Sequence, residues 1–337
     1  MYTPPQKQIR FEDGIYNLIP DEHFLRQVEK IIDWSFVDRR CKQLYSENGR
    51  PAYPARMLFK QLLLQFMYNL SDRNLEESCR YRIDFRWFVG ISGSEPGPDH
   101  TAFCRFRERL GADVLAKMLN DVVNQASEAG LVTDRLSIVD ATEVRAKVDV
   151  YRWKDDDENP GAKQGPDADA RFGRKSEEKP FFGYKVGTAV DADSGVITDA
   201  DVQPGNVSDV EMFADVADEY SDAVTADKGF DAPRNYELLH ERGQEAAIIP
   251  KRRRGKEKGH IKARYPDSAE RARYYRRSKE RWKAEPKFNE MKNHHGLKQA
   301  KYWGLVKVKF QALMVIIAVD IKRIVTLLTG RPRWVTT

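Results

Sequence analysis

Apolar positions in the first 130 residues recur at helical spacing. Pro54 to Asn69 (PARMLFKQLLLQFMYN) carries Met57, Leu58, Leu62, Leu63, Phe66 and Met67, the stripe of a helix with one face on a core. Ser71 stands where a cap belongs before Asp72-Arg-Asn-Leu-Glu-Glu, whose acids suit a helix N-terminus. Ile91 to Pro98 is rich in Gly, Pro and Ser and reads as a loop. Asp99 or Thr101 then caps a helix carrying Phe103, Phe106 and Leu110. A further helix is predicted from about Ala112 to Ala129, with Gly130 as its stop.

After Gly130 the period changes. Leu136-Ser-Ile-Val-Asp is a short buried-strand signal ending in an acid. Phe181 to Val190 and Val196 to Val202 flank the turn residues Asp191-Ala-Asp-Ser-Gly195, a hairpin pattern. Ser208 to Tyr220 fits a helix, Ala223 to Ala226 a buried strand ending at Asp227, Pro233 to Arg242 a helix with proline in its first turn, and Ala246 to Ile249 a strand. A long helical stretch is predicted from about Ser268 to His295, kinked or broken at Pro286 and stopped at Gly296. The amphipathic stretch Val306 to Leu328 is expected to pack on the sheet. Tyr151 to Pro180, rich in Asp, Gly, Lys and Pro, reads as a mobile loop. Two domains follow: residues 1–130, helical, and 131–330, α/β.

Composition narrows the class. Sixteen Phe, 14 Tyr and 6 Trp are too many for a disordered chain. The longest apolar run, Ala312 to Val319, falls far short of the about 20 residues of a membrane span. Met1 to Lys7 has no basic stretch leading into an apolar core, so no signal peptide is expected. Cys41, Cys79 and Cys104 lack the spacing of a zinc site or disulfide framework, which points to reduced thiols and a cytoplasmic protein.

A net charge of +5 hides two opposed blocks. Ala141 to Phe230 holds 11 basic and 21 acidic residues, whereas Lys251 to Ala300 holds 18 basic and 6 acidic. Such separation suits a protein that gathers cations in one place and a polyanion in another, although solvated surface gives the same counts. Lys251-Arg252-Arg253-Arg254 and Arg271-Ala-Arg-Tyr-Tyr-Arg-Arg are the candidate phosphate contacts, the second with aromatics among its cations.

Asp140 and Asp227 are read as acids at strand ends, where ligands of α/β sheets gather, and a third acid from a helix would complete an oxygen cage for Mg²⁺. On a continuous helix Arg281, Lys292 and Ser278 lie about −40°, −20° and +20° from Glu285, so all four share a face, whereas Glu290 lies about 140° away. A carboxylate among cations fits a metal ligand beside phosphate. It fits equally an Arg281–Glu285 surface pair worth about 0.3–0.5 kcal/mol.

At these residues the sequence resembles the DDE transposases of bacterial and archaeal insertion sequences, whose catalytic domain is a ribonuclease H-like mixed sheet flanked by helices. Ile138-Val-Asp-Ala-Thr-Glu-Val resembles the first-Asp motif and Ala226-Asp-Lys-Gly-Phe-Asp the second. Phe182-Gly-Tyr-Lys with Pro204-Gly-Asn-Val-Ser-Asp resembles the hairpin and the turn after it. Arg281-x3-Glu285-x6-Lys292 resembles the Tyr-Arg-Glu-Lys signature, with Ser278 in the Tyr position. Tyr53-Pro-Ala-Arg-Met-Leu, Ser71-Asp-Arg-Asn-Leu-Glu-Glu, Phe85-Arg-Trp-Phe-Val-Gly and Pro98-Asp-His-Thr-Ala-Phe-Cys-Arg-Phe-Arg resemble the helical domain ahead of it.

The resemblance implies a nucleoid-associated enzyme that binds the terminal inverted repeats of its own element, cleaves the element ends and joins them to target DNA. Asp140, Asp227 and Glu285 would hold two Mg²⁺ ions, with Mn²⁺ as a substitute, and Arg281 and Lys292 would grip phosphates. A homodimer is implied, since two ends must meet. The alternative is an inactive or domesticated DNA-binding derivative, for which Ser278 speaks. Lys228 and His294 are further candidates at the site, His294 and His295 fitting DNA contacts or helix-end partners equally. The helical domain could read the repeat through Arg105 to Arg109 or serve as a dimer interface.

Overall fold

The computed structural model describes residues 11–45, 52–92, 94–174, 180–251, 261–262 and 264–330. By internal contacts the chain forms two units. One comprises Met1–Gln125, His294–Gly296 and Leu313–Thr337, the other Ala126–Asn293 and Leu297–Ala312.

The first unit is helical, as the 3.6-residue pattern predicts: α1 (Phe24–Ile31), α2 (Ser35–Cys41), α3 (Ala55–Met67), α4 (Asp72–Tyr81), α5 (Ile83–Val89) and α6 (His100–Glu128). Ser71 caps α4 by accepting from the Asn74 N–H, and Asp99 rather than Thr101 accepts from the Ala102 N–H. Gly111 (φ 66°, ψ 170°) breaks α6 into the two helices read from the sequence. α3 departs from the one-faced stripe, because Lys60, Gln61 and Gln65 are buried along with its apolar residues. Lys60 is accommodated by a 2.5 Å ion pair to Glu29 and by the Trp34 and Phe88 rings, each 5.0 Å from its ammonium.

The second unit is a mixed sheet. Its strands are β1 (Ser137–Arg145), β2 (Arg171–Arg174), β3 (Pro180–Asp191), β4 (Ile197–Pro204), β5 (Ala223–Ala226) and β6 (Glu245–Ala246). Among the described residues the order is β2-β3-β1-β5-β6, with β4 also paired to β3. β1–β3 and β3–β4 are antiparallel, and β1–β5 and β5–β6 are parallel. α7 (Asp209–Val216), opened by a Ser208–Glu211 capping box, and α8 (Pro233–Glu241) follow β4 and β5. Met212, Phe213 and Val216 of α7 and Leu239 of α8 form one core with Val139, Ala189 and Val224. This is the mixed α/β architecture expected, with helices flanking the sheet.

Three features differ from the sequence reading. β2 lies inside the stretch read as a mobile loop, and Asp167 and Asp169 of that stretch accept from the Gly304 and Leu305 N–H groups. The stretch from Ser268 is three pieces: α9 (Ser268–Lys279), a 3-10 segment (Glu280–Ala284) and α10 (Glu285–Asn293), with Pro286 in the first turn of the last, where its missing N–H is harmless. The final helix, α11 (Leu305–Thr329), is buried on every side from Phe310 to Ile321, where an amphipathic face was expected, and from Leu313 it clusters with the helical unit. No helix among the described residues is long and apolar enough to cross a membrane.

Two motif glycines meet where the strands join. Gly205 N–H donates to Gly183 O (2.9 Å), and a Cβ on Gly183 would strike the Val144 carbonyl and come within 2.7 Å of Ala146 N. Backbone cannot swing aside as a side-chain tip can. Gly183→Ala is therefore expected to destabilise the chain by about 3 kcal/mol or more, read from urea midpoints; an unchanged midpoint would mean the strands tolerate a shift there.

Candidate active site

The parallel ladder of β1 and β5 pairs Ser137 with Val224, Ile138 with Thr225 and Val139 with Ala226, and stops there. Asp140 and Asp227 are the next residues on each strand. Asp227 turns away as the cap of a 3-10 turn, its Oδ1 accepting from the Lys228 N–H (2.7 Å). β1 does not end at Asp140 as expected. It runs on to Arg145, because β3 is long enough to pair with it through Gly183. Asp140 thus sits mid-strand at the point where the parallel neighbour leaves, the place where α/β sheets open.

Strand alternation puts Asp140 on the face opposite Val139 and its α7–α8 core. Arg281 meets it there, with Nη1 3.2 Å from Asp140 Oδ2 and Nη2 3.5 Å from Glu285 Oε1. One guanidinium therefore lies between two of the three expected acids. Its 3-10 segment is tied to the β3–β4 turn: Glu280 and Asp193 both pair with Arg135 (2.9 and 2.7 Å), and Lys283 donates to Ala192 O (2.9 Å). Glu285, at the start of α10, is 64% exposed at its side chain and Asp140 only 17%.

Burial first, and then the charges of Asp227 and Asp209, push the Asp140 carboxyl up to about 6, against the Ala141 N–H and the Arg281 guanidinium, which pull it down. Crowded, partly buried carboxylate oxygens suit a hard divalent cation. Among the described residues no three acids or other ligating side chains stand close enough to hold a metal as they are, and the Arg281 guanidinium lies between Asp140 and Glu285.

The other expected residues divide. Lys292 pairs with Glu143 (3.0 Å), three residues beyond Asp140 on β1. Ser278 lies on α9, before the 3-10 segment interrupts the assumed continuous helix, and its hydroxyl donates to Tyr275 O (3.4 Å). Lys228 and His294 are exposed. Lys251 is exposed, with its N–H donating to Asp231 (2.7 Å); Arg252, Arg253 and Arg254 lie outside the described residues. His295 is fully buried, with Nδ1 2.9 Å from Phe66 O and Nε2 3.1 Å from the Lys322 ammonium, as the helix-end alternative has it. Of the basic helix in the first unit, Arg107 is spent on Asp72 (2.8 Å).

Sequence reasoning assigned no site role to Glu143, Lys185 or Asp209. Lys185 Nζ meets Asp209 Oδ1 (2.7 Å), and a Cβ on Gly229 would lie 2.5 Å from Asp209 Oδ2, so Asp209 reaches the turn that carries Asp227. The signal was present: each of these residues lies in one of the quoted motifs.

Two family models match the chain, "Transposase domain (DUF772)" over residues 13–109 and "Transposase DDE domain" over residues 132–321. The protein is thus a transposase by class. More narrowly, the chain belongs to the DDE transposase family, the transposases of insertion sequences. Among solved structures, the piggyBac transposase synaptic complex with hairpin DNA aligns over 99% of this chain and 79% of its own, at 10% identity and a TM-score of 0.40, a likeness too loose to inform fold or chemistry.

The raised Asp140 carboxyl has a sign. An acid held at about 6 against an ordinary 3.8 favours the folded state at low pH, and that contribution is lost as pH rises through 6. Asp140→Asn removes a charge that burial opposes by up to about 3 kcal/mol. The variant is expected to melt above the parent at pH 8 and to converge with it below pH 4. A lower melting temperature at pH 8 would mean that the Arg281 pair outweighs burial.

Proposed function

We propose that the chain binds the terminal inverted repeats of its element as a homodimer, cleaves the element ends and joins them to target DNA in a divalent-metal-dependent reaction. The observation that carries this is the Arg281 guanidinium seated between Asp140 and Glu285, in a family that typically uses a divalent metal. A cation already sits where two acids need one, and a third acid, Asp227, crowds Asp140 from the neighbouring strand.

Asp140, Asp227 and Glu285 would hold two Mg²⁺ ions, or Mn²⁺, once Arg281 withdraws. Ions held there would supply activation of the attacking oxygen and charge stabilisation of the leaving one, as an in-line displacement at phosphorus needs. Arg281, released from the acids, has a planar fork suited to two phosphate oxygens, and Lys292 offers a point charge one helix further on. The Lys185–Asp209 pair and Gly229 hold the Asp227 turn against the sheet, so that Asp227 stays beside Asp140. The Arg135, Glu280 and Lys283 contacts fix the segment from which Arg281 projects.

The test is cleavage of a duplex carrying the short inverted repeats that flank the reading frame, with Mg²⁺ or Mn²⁺. Asp140→Ala, Asp227→Asn and Glu285→Gln are each expected to lose about 10³-fold or more in cleavage rate while still retarding the duplex in a gel. Parental cleavage by Glu285→Gln would remove Glu285 from the triad. A parent that binds the duplex but never nicks it would be an inactive derivative.

A further inference from the structure

β1 ends at Arg145, and its last residue is pinned from outside the sheet. Arg145 N–H donates to Lys298 O (3.3 Å), and Ala300 N–H donates to Arg145 O (2.8 Å), so the chain after α10 runs parallel to the strand end. This pairing brings Lys298 beside Arg145. Between them and α10 opens a cavity of about 160 Å³ lined by Glu143, Arg145, Asn289, Lys292, Asn293 and Lys298.

Three cations face one acid there. Lys292 is paired with Glu143, but the Arg145 and Lys298 side chains form no ion pair among the described residues. That sets them apart from much of the basic block. Arg264 is spent on Asp231, Arg273 and Arg277 on Glu245, Arg281 on Asp140 and Lys283 on Glu280. Two unneutralised cations held across one cavity by backbone hydrogen bonds repel each other, and an anion between them relieves that. Asn293 donates to Asn289 (2.5 Å), and both residues line the cavity.

We propose that this cavity seats a phosphodiester of the bound DNA strand, with Arg145 and Lys298 as its principal ligands. The proposal rests on the DNA-binding reading above. Glu143 and Arg145 lie three and five residues past Asp140 on β1, roughly 10 and 17 Å along the strand and, by its alternation, on the other face of an edge that β5 no longer pairs with after Val139. With a strand phosphate about every 3.4 Å of helix axis, the cavity is within a few nucleotides of the acids. Arg145 supplies the planar fork, Lys298 the point charge, and Lys292 can leave Glu143 to join them.

The full chain is titrated by fluorescence anisotropy against a labelled duplex cut from the DNA flanking the reading frame, over a series of KCl concentrations. Arg145→Gln with Lys298→Gln is expected to lower the slope of log K against log [KCl] by about 1.8, two contacts at about 0.9 each, with an unchanged melting temperature. Arg145→Lys with Lys298→Arg keeps both charges and is expected to keep the parental slope. A parental slope in the Gln variant overturns the subsite while leaving DNA binding intact. A parent that does not bind the duplex even at low salt overturns the DNA-binding reading and the subsite with it.

Discussion

The sheet unit is organised around one carboxylate that is costly to bury. Asp140 stands mid-strand, largely withdrawn from water, with two further acids close enough to push its proton affinity up. An uncompensated charge in such a place would cost several kcal/mol. The Arg281 guanidinium offsets part of that cost, and so the segment Glu280–Ala284 has to be held where Arg281 can reach. Arg135 and Lys283 do the holding, through Glu280 and the β3–β4 turn. The geometry of the site is therefore set by the need to keep one negative charge next to one positive one.

The same constraint explains why short motifs scattered along the chain form one object. The glycines of the two hairpin motifs, Gly183 and Gly205, are bonded to each other at the strand junction. Lys185 of the first motif reaches Asp209 of the second. Asp209 in turn lies against Gly229, two residues beyond Asp227. Arg281, from the last motif, closes the circuit on Asp140. A side chain on any of the three glycines would have to displace a backbone or carboxylate oxygen, which is why glycine is found at each.

Periodicity was enough to read the hairpin, the helix after it and the two acids, because each depends on local alternation and turn chemistry. It failed where tertiary contact decides. The run past Asp140 to Arg145 is a strand only because β3 pairs with it, and nothing local announces that. α3 and α11 carry polar residues that read as an exposed face, yet Lys60 is buried against aromatic rings and an acid, and the middle of α11 is covered all round. The wheel drawn through Ser278, Arg281, Glu285 and Lys292 assumed one helix. The 3-10 segment breaks it, so Arg281 still meets Glu285, but Lys292 pairs with Glu143 and Ser278 bonds to its own helix. Asp209 and Lys185 were inside the recognised motifs and were passed over because a motif read as a turn draws attention to its backbone.

The basic block is partly neutralised by acids of the sheet unit. Arg264, Arg273 and Lys292 rest on Asp231, Glu245 and Glu143 in pairs that are part-exposed, and such pairs contribute little each, typically under about 1 kcal/mol. They order the side chains without committing them. On the DNA-binding reading proposed above, a phosphodiester carries the same single charge as a carboxylate, so Lys292 would exchange one partner for the other at small net cost, and the acid it leaves would become available to a cation. Deeply buried pairs would have made that exchange prohibitive, and no pairs at all would have left Asp140 and its neighbours repelling one another in the folded chain. On that reading, weak internal neutralisation is the state from which both a metal and a polyanion would be admitted.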